Sequence, residues 1–268
     1  MDDAMVVAYL ARIGATRSPV LDAAALRYLH RAHLMSVPFE NLSIHLDEPV
    51  SLADDDLADK IVRKWRGGFC YELNGAFALL LQTLGATVTR LAARVYGDGR
   101  LGPPFDHLAL AVRLPDGTGP WLADIGFGDH SVYPLALDNS RMQDDPAGQF
   151  VIAHSEDGDV DVLRNGQPQY RIEMRERSLA DFVPTCWWQA TSPQSHFTQR
   201  TICSRLTETG RISISGRTLI HTTPTGRTEQ ELVDESVLLS AYRNHFGITL
   251  DHAPRASLAE PGALDGCT

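Results

Sequence analysis

Three residues of this 268-residue chain, Cys70, His107 and Asp124, have the types and chain order of an apparatus for covalent acyl chemistry. Cys70 stands in RGGFCYELNGAFALLLQTLG, residues 66–85, after two glycines. The apolar residues that follow are Leu73, Ala76, Phe77, Leu80, Leu81 and Leu84. Steps of three and four put them on one stripe of one helix, which Gly85 ends. A thiol in the first turn of a helix meets the partial positive charge of unpaired N–H groups, which favours the thiolate. The same N–H groups can hold the oxygen of a tetrahedral acyl intermediate. The glycines let the backbone turn sharply or pass close to another group. Taken alone, a cysteine in this position reads first as a small buried hydrophobe.

A nucleophilic cysteine needs an imidazole beside it, and the imidazole needs an orienting carboxylate. His107 opens HLALAVRL, an alternating strand, and PDGTG then leads into PWLADIGFG, which carries Asp124. Two strands joined by a short turn are antiparallel neighbours. His107 and Asp124 therefore both lie at the end distant from the turn, in a register that the sequence leaves open. A carboxylate in an apolar strand is costly without a partner, and His107 is a natural one. Capping of the IGFG turn is the competing role for Asp124. The order Cys, His, Asp fits papain-like proteases, transglutaminases and thioester-forming acyltransferases alike, so order alone does not choose among them.

The elements that must position these residues appear as patterns. MVVAYLARIG reads as a helix ended by Gly14. LDAAALRYLHRAHLM offers Asp22 as an N-cap, sets Leu26, Leu29, His33 and Leu34 along its length, and is stopped by Pro38. ADDDLADKIVRKW reads as a further helix, acids first and bases last, as the helix dipole favours. From about residue 87 the runs TVTRLAARVYG, HLALAVRL, FVIAH, DVDVLRNGQPQYRIEMRE and RISISGRTLIHTTPTGR alternate with turn residues and read as strands. ADFVPTCWWQATSPQSHFTQ reads as a helix or irregular bridge, and TEQELVDESVLLSAYRNHFG as a C-terminal helix. The tail from Asp251, rich in Pro, Gly and Ala, is expected to be disordered. The order is helices, then an antiparallel sheet or barrel, then a mixed segment.

Composition narrows the partners. Hydrophobic content of 43% and charged content of 22% are ordinary for a soluble globular chain. A net charge of −10 argues against nucleic-acid binding. MDDAMVVAYLARIG has two acids where a signal peptide needs positive charge, and no stretch is long enough to span a bilayer. A cytoplasmic protein with no membrane partner is expected. Cys70, Cys186, Cys203 and Cys267 share no zinc or redox spacing, so neither a metal site nor a disulfide is expected.

RGGFCYELN resembles the active-site motif Arg-Gly-Gly-x-Cys-x-Glu-x-Asn of the arylamine N-acetyltransferases. VPFENL, residues 37–42, is similar to that family's Val-Pro-Phe-Glu-Asn-Leu signature, and YLARIG resembles its first-helix motif. DHLAL and DIGFG stand where the family keeps its His and its Asp-x-Gly-Phe-Gly, and SPQSHF, residues 192–197, resembles a further segment. The resemblance implies an α+β fold: an N-terminal helical bundle over residues 1–88, a central antiparallel β-barrel over 89–195 and a C-terminal α/β lid over 196–268. It implies Cys70 as acyl-accepting nucleophile, His107 as base and Asp124 as the residue that orients the imidazole. The implied reaction is ping-pong transfer of acetyl from acetyl-CoA to an aromatic amine, hydrazine or hydroxylamine. Phe39 and Phe127 are then candidates for the flat apolar slot of the acceptor. Gly126 and Gly128 are candidates for contact with CoA, with Pro103 and Pro104 on the other wall. Phe69 and Tyr71 read as core packing. Glu40 and Arg66, both charged in an apolar context, are expected to pair and lock the loop that presents Cys70. A hydrolase using the same three residues is the alternative.

Overall fold

The amphipathic patterns resolve, in a computed structural model, into two antiparallel sheets and a set of helices; the structure describes residues 1–155 and 157–256. The first helices are Asp3–Arg12 and Ala23–Ser36. The side chains of Asp2 and Asp22 cap them, each accepting a backbone N–H three residues on. Gly14 follows the first helix in a left-handed conformation. The acid-to-base run is an α-helix only over Asp54–Ala58 and widens to a π-helix over Asp59–Arg63. The helix Cys70–Thr83 lies at the centre, with every residue from Cys70 to Leu81 buried. Phe77, Leu80 and Leu81 face the first two helices, while Cys70 and Tyr71 belong to a second apolar cluster with Phe69, Leu108, Phe182 and Phe197.

The larger sheet runs Leu135–Ala136, Trp121–Leu122, His107–Arg113, Thr87–Gly97, Gln167–Arg177, Val160–Arg164, Gly148–His154, Gln143–Asp145 in spatial order. It curls until its two edges meet. The Gln143 side chain accepts from the Ala136 N–H at 2.7 Å and donates to the Ala136 carbonyl at 2.9 Å. Polar side chains thus stand in for the missing ladder, and the sheet becomes a nearly closed barrel with no long bare edge. Leu91, Ala93, Ala109, Phe150, Ile152, Val162 and Tyr170 fill it. Between the last barrel strand and the second sheet lie the helices Val183–Thr191 and His196–Gln199, where the sequence left a helix or an irregular bridge open.

The smaller sheet is ordered Phe39–Glu40, Ile202–Thr207, Gly210–Ser215, Thr218–Thr223, Gly226–Glu231. The helix Glu235–Phe246 covers it, ended by Gly247 in a left-handed conformation. This corrects the expectation of a helix from Thr228. Thr228–Glu231 pair with Thr218–Ile220 and His221 instead, and pairing overrides the helix propensity of Glu and Gln. All six residues of that strand are exposed, and its charges suit an outer edge. The start of the tail is tied down: the Arg255 N–H donates to the His45 carbonyl, and the Ala253 N–H to Glu235. Residues 257–268, with Cys267, lie outside the described residues. We propose the division 1–88, 89–195 and 196–268 as the unit boundaries; the Phe39–Glu40 strand crosses from the first unit into the sheet of the third.

That crossing strand and the Cys70 loop are welded together. The Gly68 carbonyl accepts from the Glu40 N–H at 2.9 Å. Gly67 and Gly68 have no room for side chains: a Cβ at Gly67 would sit 1.9 Å from the Pro38 carbonyl oxygen, and one at Gly68 2.6 Å from Glu72. Glu40, fully buried, accepts from Arg66 at 3.0 and 3.3 Å, from the Leu42 N–H at 2.6 Å and from the Gly67 N–H at 3.2 Å. Burial opposes the charge on Glu40, but Arg66 and Lys60 outweigh it and hold the carboxyl well below its usual range. Arg66 also donates to Glu48 and Ser43. Arg66→Ala strands a buried carboxylate, which costs on the order of 3–5 kcal/mol. Urea unfolding measures this; a midpoint unchanged from wild type would remove the pair from the supports of the Cys70 loop.

Candidate active site

Cys70 is the first residue of its helix, and Phe69 before it is extended. Glu72 accepts from the Phe69 N–H at 3.3 Å and pairs with Lys60 at 2.6 Å, so the acid of the first turn is neutralised behind the thiol. The Glu72 and Leu73 N–H groups donate to the Phe69 carbonyl, which leaves those of Cys70 and Tyr71 at the helix start for a ligand's oxygen. Cys70 is 4% exposed, its sulfur lies 4.0 Å from the Asp106 carbonyl, and both it and His107 line the same cavity.

The barrel delivers the other two residues. His107 opens its strand, and the pairing Ala111 with Leu122 and Val112 with Trp121 sets Asp124 diagonally beyond it. His107 Nε2 and Asp124 Oδ2 are 2.8 Å apart, both buried. That leaves Nδ1 for the thiol. Asp124 accepts three further bonds: from Tyr170 Oη at 2.9 Å, Asn74 Nδ2 at 2.9 Å and the Gly126 N–H at 3.1 Å. Burial works against its charge, yet His107, helped by His130 and the Asn74 bond, holds the carboxyl well below the usual range. Burial also works against charging His107; the neighbouring Asp124 carboxylate, with Cys70 adding to it, overcomes that and pushes the imidazole up to about 10. Nearby His130 goes the other way, lowered to about 4 by burial, and stays a neutral packing ring between Phe127, Phe150 and Tyr170.

The three residues meet at a cavity of about 680 Å³ onto which Cys70 and His107 open. Of the sequence candidates, Phe39, Phe127, Pro103 and Gly126 line it. Phe127 stands edge-on to His107 with ring centroids 5.3 Å apart. Gly126 has a packing reason as well: a Cβ there would lie 2.8 Å from the Cys70 Cα. Pro104 and Gly128 are not on the cavity wall; the Pro104 carbonyl accepts from Thr185, and Gly128 packs beside the Phe39 ring. Phe69 and Tyr71 are buried in the second apolar cluster. The cavity adds Trp188, Phe197, His196, Arg100, Arg200 and Asp106, which the sequence reading did not assign. SPQSHF was the one sequence signal for Phe197. Among the described residues no His, Cys, Asp and Glu cluster could hold a metal, and no helix is long and apolar enough to cross a membrane.

Sequence comparison bears on the same residues. The N-acetyltransferase family model matches residues 22–255. The arylamine N-acetyltransferase of Escherichia coli (strain K12) is 31% identical over 265 residues, 96% of this chain and 93% of that protein. The chain belongs to the arylamine N-acetyltransferase family. The solved arylamine N-acetyltransferase of M. smegmatis is similar at 32% identity with a TM-score of 0.85, covering 93% of each chain. That of Mycobacterium marinum, solved in complex with CoA, is similar at 30% identity and a TM-score of 0.82, covering 91% of this chain and 92% of that one. Within this arylamine N-acetyltransferase fold, the helical part supplies Cys70 and the barrel supplies His107 and Asp124.

An ordinary histidine loses its proton near pH 6.5, whereas His107 keeps it to about 10. The folded state binds that proton more tightly, so the stabilisation is complete below pH 6.5 and is lost as pH rises through about 10. The unfolding free energy of wild type minus that of His107→Gln should therefore be largest near pH 6 and shrink steadily up to about pH 10. A difference that grows with pH contradicts a charged His107.

Proposed function

We propose that this enzyme moves an acetyl group from acetyl-CoA to an aromatic amine, hydrazine or N-arylhydroxylamine through an acetyl-cysteine at Cys70. The observation that carries the reading is the buried Asp124–His107 pair set against a helix-start thiol on a cavity walled by aromatic rings. The Cys70 sulfur, having given its proton to His107, attacks the thioester carbonyl. The oxygen of the tetrahedral intermediate gains negative charge beside the N–H groups of the helix start. The C–S bond to CoA breaks, and the departing sulfur takes the proton from the His107 imidazolium. One thioester has replaced another, so acetyl can rest on Cys70 until CoA leaves. The acceptor nitrogen then attacks the acetyl carbon, the neutral imidazole takes the nitrogen's proton, and the Cys70 thiolate departs. Asp124 keeps the ring oriented through both steps and stabilises its cationic form.

The flat acceptor fits between Phe39, Phe127, Phe197 and Trp188. The phosphates of CoA fit the positive charge of Arg100 and Arg200 on the same cavity. The reading extends to a cytoplasmic enzyme that needs no metal. Hydrolysis uses the same three residues and differs in admitting water to the acyl-cysteine.

Mass spectrometry after mixing with acetyl-CoA should find one acetyl group on the Cys70 peptide and none in Cys70→Ala. His107→Gln should slow acetylation by on the order of 10²–10⁴-fold, the usual worth of a positioned acid–base group. Rapid steady release of CoA without an amine would make the enzyme a hydrolase instead.

A further inference from the structure

One carboxylate at the cavity takes no part in the acyl-transfer steps. Asp106 lines the same cavity as Cys70 and His107. Its backbone is fixed at the nucleophile: the carbonyl accepts from the Tyr71 hydroxyl at 3.2 Å and faces the Cys70 sulfur at 4.0 Å. Its side chain is held by Gln189 Nε2, which donates to Oδ1 at 2.7 Å, and more loosely by the Val95 N–H, 3.4 Å from Oδ2. Gln189 is itself oriented by the Ser195 hydroxyl at 2.6 Å, and both residues are buried. Gly102 makes space for the carboxylate, since a Cβ there would lie 2.3 Å from Oδ2.

These supports leave the group short of partners. A carboxylate offers about four acceptor positions, and the fixed neighbours fill two. Among the described residues, no Arg or Lys forms an ion pair with Asp106. The ionisable groups that favour its charge are the imidazoles of His107 and His196, the first already engaged by Asp124. Burial lifts the carboxyl above its usual range, against the pull of the Val95 N–H and those imidazoles. The structure has built a pre-oriented acceptor into a wall it shares with Phe39, Phe127, Phe197 and Trp188.

We propose that Asp106 sets acceptor specificity, drawing in aromatic amines that carry a second hydrogen-bond donor or a positive charge and turning away those that carry a carboxylate. The proposal rests on the acetyl-transfer reading above. Opposite charges attract strongly where water is excluded, and like charges repel as strongly. In a ping-pong cycle CoA leaves before the acceptor enters. One cavity then serves both substrates by charge: Arg100 and Arg200 meet the anionic donor, and Asp106 meets the acceptor.

The test uses the full chain at about pH 8, with 4-aminobenzamidine as the cationic acceptor and 4-aminobenzoate as the anionic one. Acetylation of Cys70 is first measured by mass in wild type and in Asp106→Asn. The ratio of kcat/KM for the amidine to that for the benzoate should fall at least tenfold in Asp106→Asn; the effect of each substituent on amine reactivity cancels between the two proteins. An unchanged ratio, with Cys70 acetylated in both, overturns the proposal and leaves acetyl transfer standing. Equal losses with both acceptors, together with slower Cys70 acetylation, make Asp106 a support for Tyr71 and His107 and overturn it as well. No acetyl on wild-type Cys70 overturns both readings. A second measurement needs no variant: as unreactive inhibitors competing with the acceptor, benzamidine should bind wild type more tightly than benzamide, and benzamide more tightly than benzoate. The reverse order overturns the proposal.

Discussion

Asp124, at 1% exposure, keeps its charge inside the protein because four donors from four segments of the chain converge on it. Asn74 comes from the nucleophile's own helix, His107 and Tyr170 from two barrel strands, and the Gly126 N–H from the turn after Asp124. A buried carboxylate with any of these missing would be expensive. The cost of leaving it unpaired therefore fixes the helix, the two strands and the turn in one arrangement. Asn74 does the joining: it donates to Asp124 and to the Leu108 carbonyl, and accepts from the Ile125 N–H. The charge that this arrangement stabilises on His107 is the charge the thiol needs beside it.

The remaining contacts keep that centre closed on one side and open on the other. Glu40, Arg66 and Glu72 with Lys60 anchor the Cys70 loop from behind. The Phe39–Glu40 strand carries the constraint into the smaller sheet through its pairing with Cys203 and Ser204. On the open side stand aromatic rings, two arginines and the Asp106 carboxylate. Burial raises the Cys186 and Cys203 thiols well above their ordinary range, so neither competes with Cys70 as a nucleophile.

Much of this was legible locally. The stripe from Leu73 to Leu84 predicts the central helix, and the two glycines before Cys70 predict the close backbone approach that Pro38 and Glu72 make. The hairpin through PDGTG predicts that His107 and Asp124 share an end, though not the diagonal register that joins them. Tyr170 was not legible: it lies 46 residues from Asp124, and only barrel curvature brings its hydroxyl there. Asp106 and Gln189 are 83 residues apart and meet for the same kind of reason. Thr228–Glu231 misled because Glu and Gln favour helix, while an unpaired neighbouring strand offered more.

The most direct measurement is the rate of Cys70 alkylation by iodoacetamide near pH 6, followed by peptide mass in wild type and in His107→Gln. If Asp124 keeps a protonated imidazole against the sulfur, wild type should react at least about tenfold faster than a free thiol, whose thiolate is scarce at that pH, and His107→Gln should lose the advantage. Equal and slow rates in both proteins would contradict the charged pair on which the chemistry rests.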